Sequence, residues 1–222
     1  MKSPEIKKVL PLREQVYDAI LSQLRDGRYA PGERVTEGRI AKDLEVSRTP
    51  VREAMGQLNR HGVLLARDGG GYVVPSPSVK EVNEIFHVRQ LVEPFAVKLA
   101  AEEYNKAHID ELDKAIGQEV KSVRTRNPNG FAAGNENFRS ALFDHISNAT
   151  LKDIISQFTY HLQFIRMLTL KNLEVRQDIV KKQKAIRNAI AKHDGAKAAE
   201  LWEDYLDFAQ LALTSAMKDY QK

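Results

Sequence analysis

The sequence contains no cysteine among its 222 residues. Disulfides and thiolate chemistry are therefore excluded, and the absence is typical of a protein in a reducing compartment. No apolar run reaches 18 residues, and the polar N-terminus lacks the apolar segment of a secretion signal. We expect a cytoplasmic protein that does not associate with membranes.

Sequence features of catalysis are also missing. The chain has no phosphate-binding glycine loop, no cofactor fingerprint, no nucleophile–base pair and no set of metal ligands. We therefore expect a protein that is not an enzyme and that needs no cofactor. A helical enzyme with a DNA-binding head is the alternative, and turnover of a bound metabolite would support it.

Positive charge is concentrated near the N-terminus. The formal net charge is +4, of which residues 1–78 carry +3 and residues 79–222 carry +1. A basic N-terminal segment is typical of a nucleic-acid-binding domain. The difference is small, so it supports a motif and does not establish one.

A helix-turn-helix is predicted around Ser47, a good N-cap residue. A short helix at about 37–44 precedes it, and Pro50 falls in the first turn of the second helix, where no amide hydrogen is needed. That helix has apolar residues at helical spacing, namely Val51, Ala54, Met55 and Leu58. Its N-terminal side chains would face base edges in the major groove.

Arginine forks bind guanine or phosphate, and hydroxyl groups bind phosphate. A solvated helix face is the alternative for two arginines alone. The residues of the helix-turn-helix that we predict to contact double-stranded DNA are Arg39, Ser47, Arg48, Thr49, Pro50 and Arg52.

Two strands, at 63–67 and 72–75, are predicted around the glycine-rich segment 68–71. Such a hairpin is a wing, whose glycines let its backbone approach DNA and whose Arg67 reaches a phosphate or the minor groove. We include Arg67, Gly69 and Gly70 among the predicted DNA contacts; an ordinary glycine hairpin is the alternative.

These segments together resemble the winged-helix domain of the GntR family of bacterial transcription regulators. The similarity is carried by 29–35, Ile40-Ala41, 46–54, Leu58 and Gly62. It implies a homodimer on an inverted-repeat operator and, usually, repression that a small carboxylate relieves.

The stiff segment Pro75-Ser76-Pro77-Ser78 marks a domain boundary. We predict a winged helix-turn-helix in residues 1–76 and an all-helical effector-binding and dimerisation domain in residues 77–222, so the fold is mainly α. The second domain should be an antiparallel bundle of six helices. Their predicted ranges are 78–104, 108–126, 129–148, 151–170, 173–192 and 194–219.

The second domain resembles the FCD ligand-binding domain of the FadR subfamily, and its six helices resemble the VanR-like branch. The similarity rests on Arg89-x-x-x-Glu93, on Phe138 with Leu142 and Asn148, and on Ala189-Ile190 followed by Asp194. Most such domains hold a divalent metal through one aspartate and three histidines. The corresponding positions here are Asn135, Arg139, Gln183 and Tyr205, so we predict no metal at that site.

The same substitutions suggest an anion site. Arg139 would place a fixed positive charge where the family holds a cation, and we expect it to bind an anionic effector such as a carboxylate through two hydrogen bonds. Alternatively, Arg139 pairs with a carboxylate such as Glu93 and closes the cavity, which gives a regulator blind to effectors. The predicted effector-binding residues are Arg89, Asn135, Arg139, Tyr160, Arg166, Gln183 and Tyr205.

Overall fold

The computed structural model describes residues 10–25, 27–60 and 62–220, and all of their side chains except those of 25, 159–168, 219 and 220. The chain forms two compact units that divide between Ser76 and Pro77. The first unit contains three helices and a small sheet among the described residues. Their bounds are α1 Leu12–Arg25, β1 Arg34–Val35, α2 Glu37–Asp43, α3 Arg48–Arg60, β2 Leu65–Ala66 and β3 Tyr72–Val73.

A tight turn joins α2 to α3. Glu45 has a φ of 55°, in the left-handed region, and the amide of Val46 donates to the carbonyl of Ala41 over 3.0 Å. The apolar residues of α3 are buried against α1 and α2. The predicted helix-turn-helix is therefore confirmed, with α3 as its second helix.

The wing is a three-stranded antiparallel sheet in the order β1-β3-β2. The prediction of two strands at 63–67 and 72–75 was wrong in length, because Val63 and Leu64 are buried in the core and do not pair in the sheet. It also missed β1, whose two residues are too few for a detectable alternation.

The second unit contains six helices within the described residues, as predicted. Their bounds are α4 Val79–Glu103, α5 Lys106–Arg124, α6 Pro128–Phe143, α7 Ala149–Leu170, α8 Leu173–Ala191 and α9 Gly195–Tyr220. Ser78 closes a capping box with Glu81, and asparagines cap the next four helices. The prediction that the third helix continues to 148 was wrong, since α6 ends at Phe143 and Asn148 caps α7.

The core of the bundle is rich in large side chains, with Trp202, Phe86, Phe131 and Phe138 almost fully buried. Helix α4 runs through this core and carries Pro94 in its interior. Pro94 lacks an amide hydrogen, so the helical hydrogen bond to the carbonyl of Gln90 cannot form. Among the described residues, no helix has the length and apolar character needed to cross a bilayer.

Candidate nucleic-acid interface and buried ligand site

The N-terminal end of α3 presents polar side chains to solvent. Ser47, Arg48, Thr49 and Arg52 are exposed and Pro50 is half-buried, while Val51 on the opposite face is fully buried. Neither Arg48 nor Arg52 forms an ion pair with any described residue. Both guanidinium groups are therefore available to an external acceptor.

Arg39 differs from these arginines because it already has a partner. Its Nη1 lies 2.7 Å from Oε1 of Glu33, and its guanidinium carbon lies 4.9 Å from the centre of the Tyr29 ring. Its hydrogen bond to Glu33 raises the pKa of Arg39 further. A phosphate would have to share this guanidinium with a carboxylate.

The wing tip is built from glycines in the left-handed region. Gly69, Gly70 and Gly71 have φ values of 85°, 90° and 83°, which side chains rarely tolerate. Arg67 is exposed beside them. Arg34, which the sequence did not single out, donates from Nη2 to the carbonyl of Gly70 over 2.9 Å and fixes the tip.

Inside the bundle, four side chains form what we call the Glu93 cluster: Arg89, Glu93, Arg139 and Trp202. Glu93 is fully buried and accepts from Nε and Nη2 of Arg89 over 2.8 and 3.1 Å. Arg139 donates from Nη2 over 3.0 Å and from Nη1 over 3.4 Å, and Trp202 donates from Nε1 over 2.9 Å. The carboxylate is thus held on both oxygens.

The electrostatics of this cluster favour an ionised Glu93. Burial alone would raise the pKa of Glu93, but the charges of Arg139 and Arg89 outweigh it and lower the pKa to about 2. Two guanidinium groups share one carboxylate, which leaves the cluster with a net positive charge. Nε of Arg139 has no hydrogen-bond partner in the part of the chain that the structure describes.

A second buried group, the Glu119 cluster, consists of Glu119, Asn135 and Gln183. Nδ2 of Asn135 donates to Oε1 of Glu119 over 3.2 Å, and all three residues are almost inaccessible to solvent. Burial raises the pKa of Glu119 to about 8, although contacts with Asn135 and Gln183 oppose the shift. Oε2 of Glu119, Oδ1 of Asn135 and both amide atoms of Gln183 lack hydrogen-bond partners among the described residues.

Arg176, on α8, is a further buried cation. It is 3% exposed, and no described residue is a hydrogen-bond partner of its Nε and Nη1 atoms. It forms no ion pair in the described part of the chain. A buried guanidinium without a carboxylate is unfavourable unless another anion offsets its charge.

A cavity of about 30 Å³ lies in the bundle, lined on its polar side by Arg89, Asn135, Thr169 and Tyr205. This volume accommodates about one or two water molecules. Arg139 instead lines an open pocket of about 180 Å³, together with Lys152 and Ser156. The side chains of the remaining predicted effector residues, Tyr160 and Arg166, lie outside the described residues.

The residues at the family's metal positions do not fit a metal. Arg139 is a cation bonded to Glu93, and Asn135, Gln183 and Tyr205 offer no carboxylate or imidazole. In the described part of the chain, no three His, Asp or Glu side chains are grouped so as to hold a metal ion. His145 instead lies 2.8 Å from Glu111 and stacks on His108. The absence of a metal stays a prediction.

The sequence analysis missed Glu119 and Arg176 as site residues. Helical spacing does predict that Glu119 is buried, since it follows Leu112, Ala115 and Ile116 on the buried face of α5. Arg176 shares the buried face of α8 with Ile179 and Gln183 in the same way. A charged residue in phase with an apolar stripe identifies an interior charge.

Comparisons with known proteins agree with this architecture. The family description "Bacterial regulatory proteins, gntR family" matches residues 12–74, and the FCD domain matches residues 84–208. The HTH-type regulator YdhC of Bacillus subtilis is 27% identical over 197 residues, covering 88% of each chain. The HTH-type transcriptional repressor RspR of Escherichia coli is 22% identical, covering 83% of this chain and 81% of its own.

The fold is also similar to that of a solved structure, E. coli McbR/YncC. The TM-score is 0.78 at 21% identity, and the match covers 96% of this chain and 100% of the other. At this identity the likeness supports the fold alone.

Proposed function

The chain belongs to the GntR family of bacterial regulatory proteins and carries an FCD domain, and from this premise we propose how it works as a DNA-binding transcription regulator. The exposed arginines at the N-terminal end of α3 carry the proposal for DNA. Arg48, Thr49 and Arg52 contact base edges in the major groove, while Ser47 and the wing residues contact the backbone. Repression is the favoured outcome, because the relative RspR is named a repressor.

Selection from a random DNA duplex library tests this proposal. The wild-type protein should enrich an inverted repeat, and Arg48→Ala or Arg52→Ala should lose that enrichment. Arg60→Ala is the matched control, since Arg60 is exposed at the far end of the same helix. Enrichment that is unchanged in the Arg48 and Arg52 variants would contradict the assignment.

We assign homodimerisation to an exposed apolar stripe in the helical unit. Val88, Leu91 and Phe95 share one face of α4 and are 42%, 79% and 52% exposed, and Leu211 on the adjacent α9 is 68% exposed. Such a contiguous apolar patch marks an interaction surface. The partner that we assign to this surface is a second copy of the chain, because a single recognition helix makes too few base contacts.

Analytical ultracentrifugation checks the dimer. Leu91→Glu should convert the dimer to a monomer and weaken binding to an inverted repeat. Lys80→Glu, on an exposed position of the same helix, should leave the dimer intact. A dimer that persists in Leu91→Glu and in Phe95→Glu would place the interface elsewhere.

A small anionic effector is supported by the charge balance of the interior. Arg89, Arg139 and Arg176 are buried guanidinium groups, whereas Glu93 is the one buried carboxylate whose pKa is lowered among the described residues. Glu119, with a pKa of about 8, is mostly uncharged at neutral pH. A carboxylate effector would offset the excess positive charge, and its preference for one arrangement of the protein would change the affinity for DNA.

The test measures operator affinity in the presence of small mono- and dicarboxylates. Wild-type affinity should change with at least one acid, and Arg139→Met or Arg176→Met should abolish the change while sparing DNA binding. Arg187→Met is the control, since Arg187 pairs with Asp113 near the surface of α8. A response that persists in both buried-arginine variants would exclude this site.

An effector-blind regulator is the second candidate. It is favoured by the closed contact between Arg139 and Glu93 and by the small volume of the cavity that Arg89 lines. In that case no carboxylate should raise the melting temperature or change the DNA affinity of the wild-type protein.

A further inference from the structure

Some hydrogen-bonding atoms of the Glu119 cluster have no partner at hydrogen-bond distance among the described residues. Oε2 of Glu119 and Oδ1 of Asn135 are buried without partners, and the amide of Gln183 is also unsatisfied. The packing is tight there, since a Cβ on Gly134 would lie 2.9 Å from Cγ of Glu119. Buried oxygens of this kind are unfavourable unless a donor reaches them.

Helix α8, which carries Gln183, also carries a buried positively charged donor, the guanidinium group of Arg176. Arg176 and Gln183 are seven residues apart on α8, which is two turns, or roughly 10 Å along the axis. Both are buried on the same face, and Ile179 between them lines the cavity. The unsatisfied Nε and Nη1 of Arg176 thus mark one end of this face, and the Glu119 cluster marks the other.

These two ends do not neutralise one another. No cation among the described residues contributes to the electrostatics of Glu119, and Arg176 has no carboxylate partner in the same set. Water molecules in the cavity would supply hydrogen bonds but no charge. One molecule that carries both a carboxylate and a hydrogen-bond-donating cation satisfies both ends.

We propose that the effector is a small amino acid, whose carboxylate binds at Arg176 and whose ammonium group binds among Glu119, Asn135 and Gln183. This inference rests on the proposed function, because it names the chemical class of the carboxylate effector that binds in the same interior. The ammonium group donates to the three oxygens, and its positive charge lowers the pKa of Glu119, so that Glu119 releases its proton to solvent and becomes charged when the ligand binds. Of these four residues only Asn135 lines the cavity of about 30 Å³, so binding requires that the side chains between Arg176 and Glu119 move to admit the ligand.

Matched pairs of ligands test the amino group directly. Isothermal titration of the full chain compares alanine with propionate, 4-aminobutyrate with butyrate, and 5-aminopentanoate with pentanoate. In at least one pair the amino acid should bind ten times more tightly or better. Glu119→Gln, which keeps the shape of the side chain, should reduce that preference below threefold and leave the affinity for the simple acid unchanged.

Two further variants make the result specific. Gln183→Met removes the amide at similar length and should also reduce the preference for the amino acid. Glu111→Gln, on an exposed position of α5, should not. Equal binding of both members of every pair, or binding of neither, overturns the inference. A separate measurement tests the proposed function. If no anion changes the affinity for the operator, the proposed anionic effector is contradicted.

Discussion

Arginines serve the two units of this chain in opposite environments. Arg48 and Arg52 lie in solvent at the end of α3 and form no ion pair with the described residues. Arg89 and Arg139 are 3% and 4% exposed and share Glu93 between them. The exposed pair stays hydrated until DNA displaces the surrounding water. The buried pair needs an anion for the fold to be stable.

The contrast explains why replacing a member of an exposed arginine site and a member of a buried one should have different consequences. Removing an exposed arginine deletes a contact that exists only in the complex, so stability should not change. Removing a buried partner leaves an uncompensated charge in the interior, so the fold itself is affected.

The largest effect should come from Glu93→Ala. This change leaves two guanidinium groups without a carboxylate, which should lower the free energy of unfolding by about 3–5 kcal/mol. Urea denaturation measures the loss. The exposed Glu84→Ala on the same helix should change stability by less than about 0.5 kcal/mol. A loss below about 1 kcal/mol for Glu93→Ala would mean that the buried pair is not required.

The next effect concerns the pH dependence of stability. The folded state retains the proton of Glu119 up to a pKa of about 8, whereas the unfolded chain releases it near the ordinary glutamate pKa of 4.5. Stability should therefore fall as the pH rises from 5 to 9, by up to about 4 kcal/mol from this group. Glu119→Gln should remove that fall in urea titrations at pH 5, 7 and 9. Parallel curves for the two proteins would refute the shift.

On the exposed side, Arg48→Ala or Arg52→Ala should weaken specific DNA binding by about 1–3 kcal/mol if the contact is bidentate to a base. Fluorescence anisotropy with the selected operator and with random duplex measures both affinities. The melting temperature should stay unchanged. An equal loss on the two duplexes would indicate a phosphate contact in place of base recognition.

The smallest effect should come from the wing that carries Arg67. Gly71→Ala places a side chain in the left-handed region at φ 83° and 3.2 Å from the carbonyl of Val35. We expect a loss of about 1 kcal/mol in the free energy of unfolding. Gly69→Ala has the same backbone strain but no neighbour within 4 Å, so the difference between the variants isolates the contact. Equal losses would show that the contact adds nothing.

Local patterns predicted the helices well, because caps and apolar periodicity are properties of neighbouring residues. Asn105, Asn127 and Asn172 fall in the gaps between the predicted helices, and together with Asn148 they are the N-caps of four helices. The strand β1 could not be predicted, since two residues pair with β3 only once the fold has formed.

The interior site was less predictable because its contacts join distant positions. Arg139 and Glu93 are separated by 46 residues, and the sequence allowed either this pairing or a free guanidinium. Asn135, Arg89 and Tyr205 do line one cavity, whereas Arg139 faces another pocket. Helical phase could place each side chain inside the bundle, but only packing decides which of them meet.

Pro94 removes one hydrogen bond from the ladder of α4 beside Glu93. In terms of amide exchange, we expect local opening of α4 to be easiest at this turn, because it is held by one hydrogen bond fewer than the others. Amides on the N-terminal side of Pro94 should exchange faster than those in an unbroken core helix. If a ligand tightens the Glu93 cluster, the first measurable effect should be slower amide exchange just before Pro94.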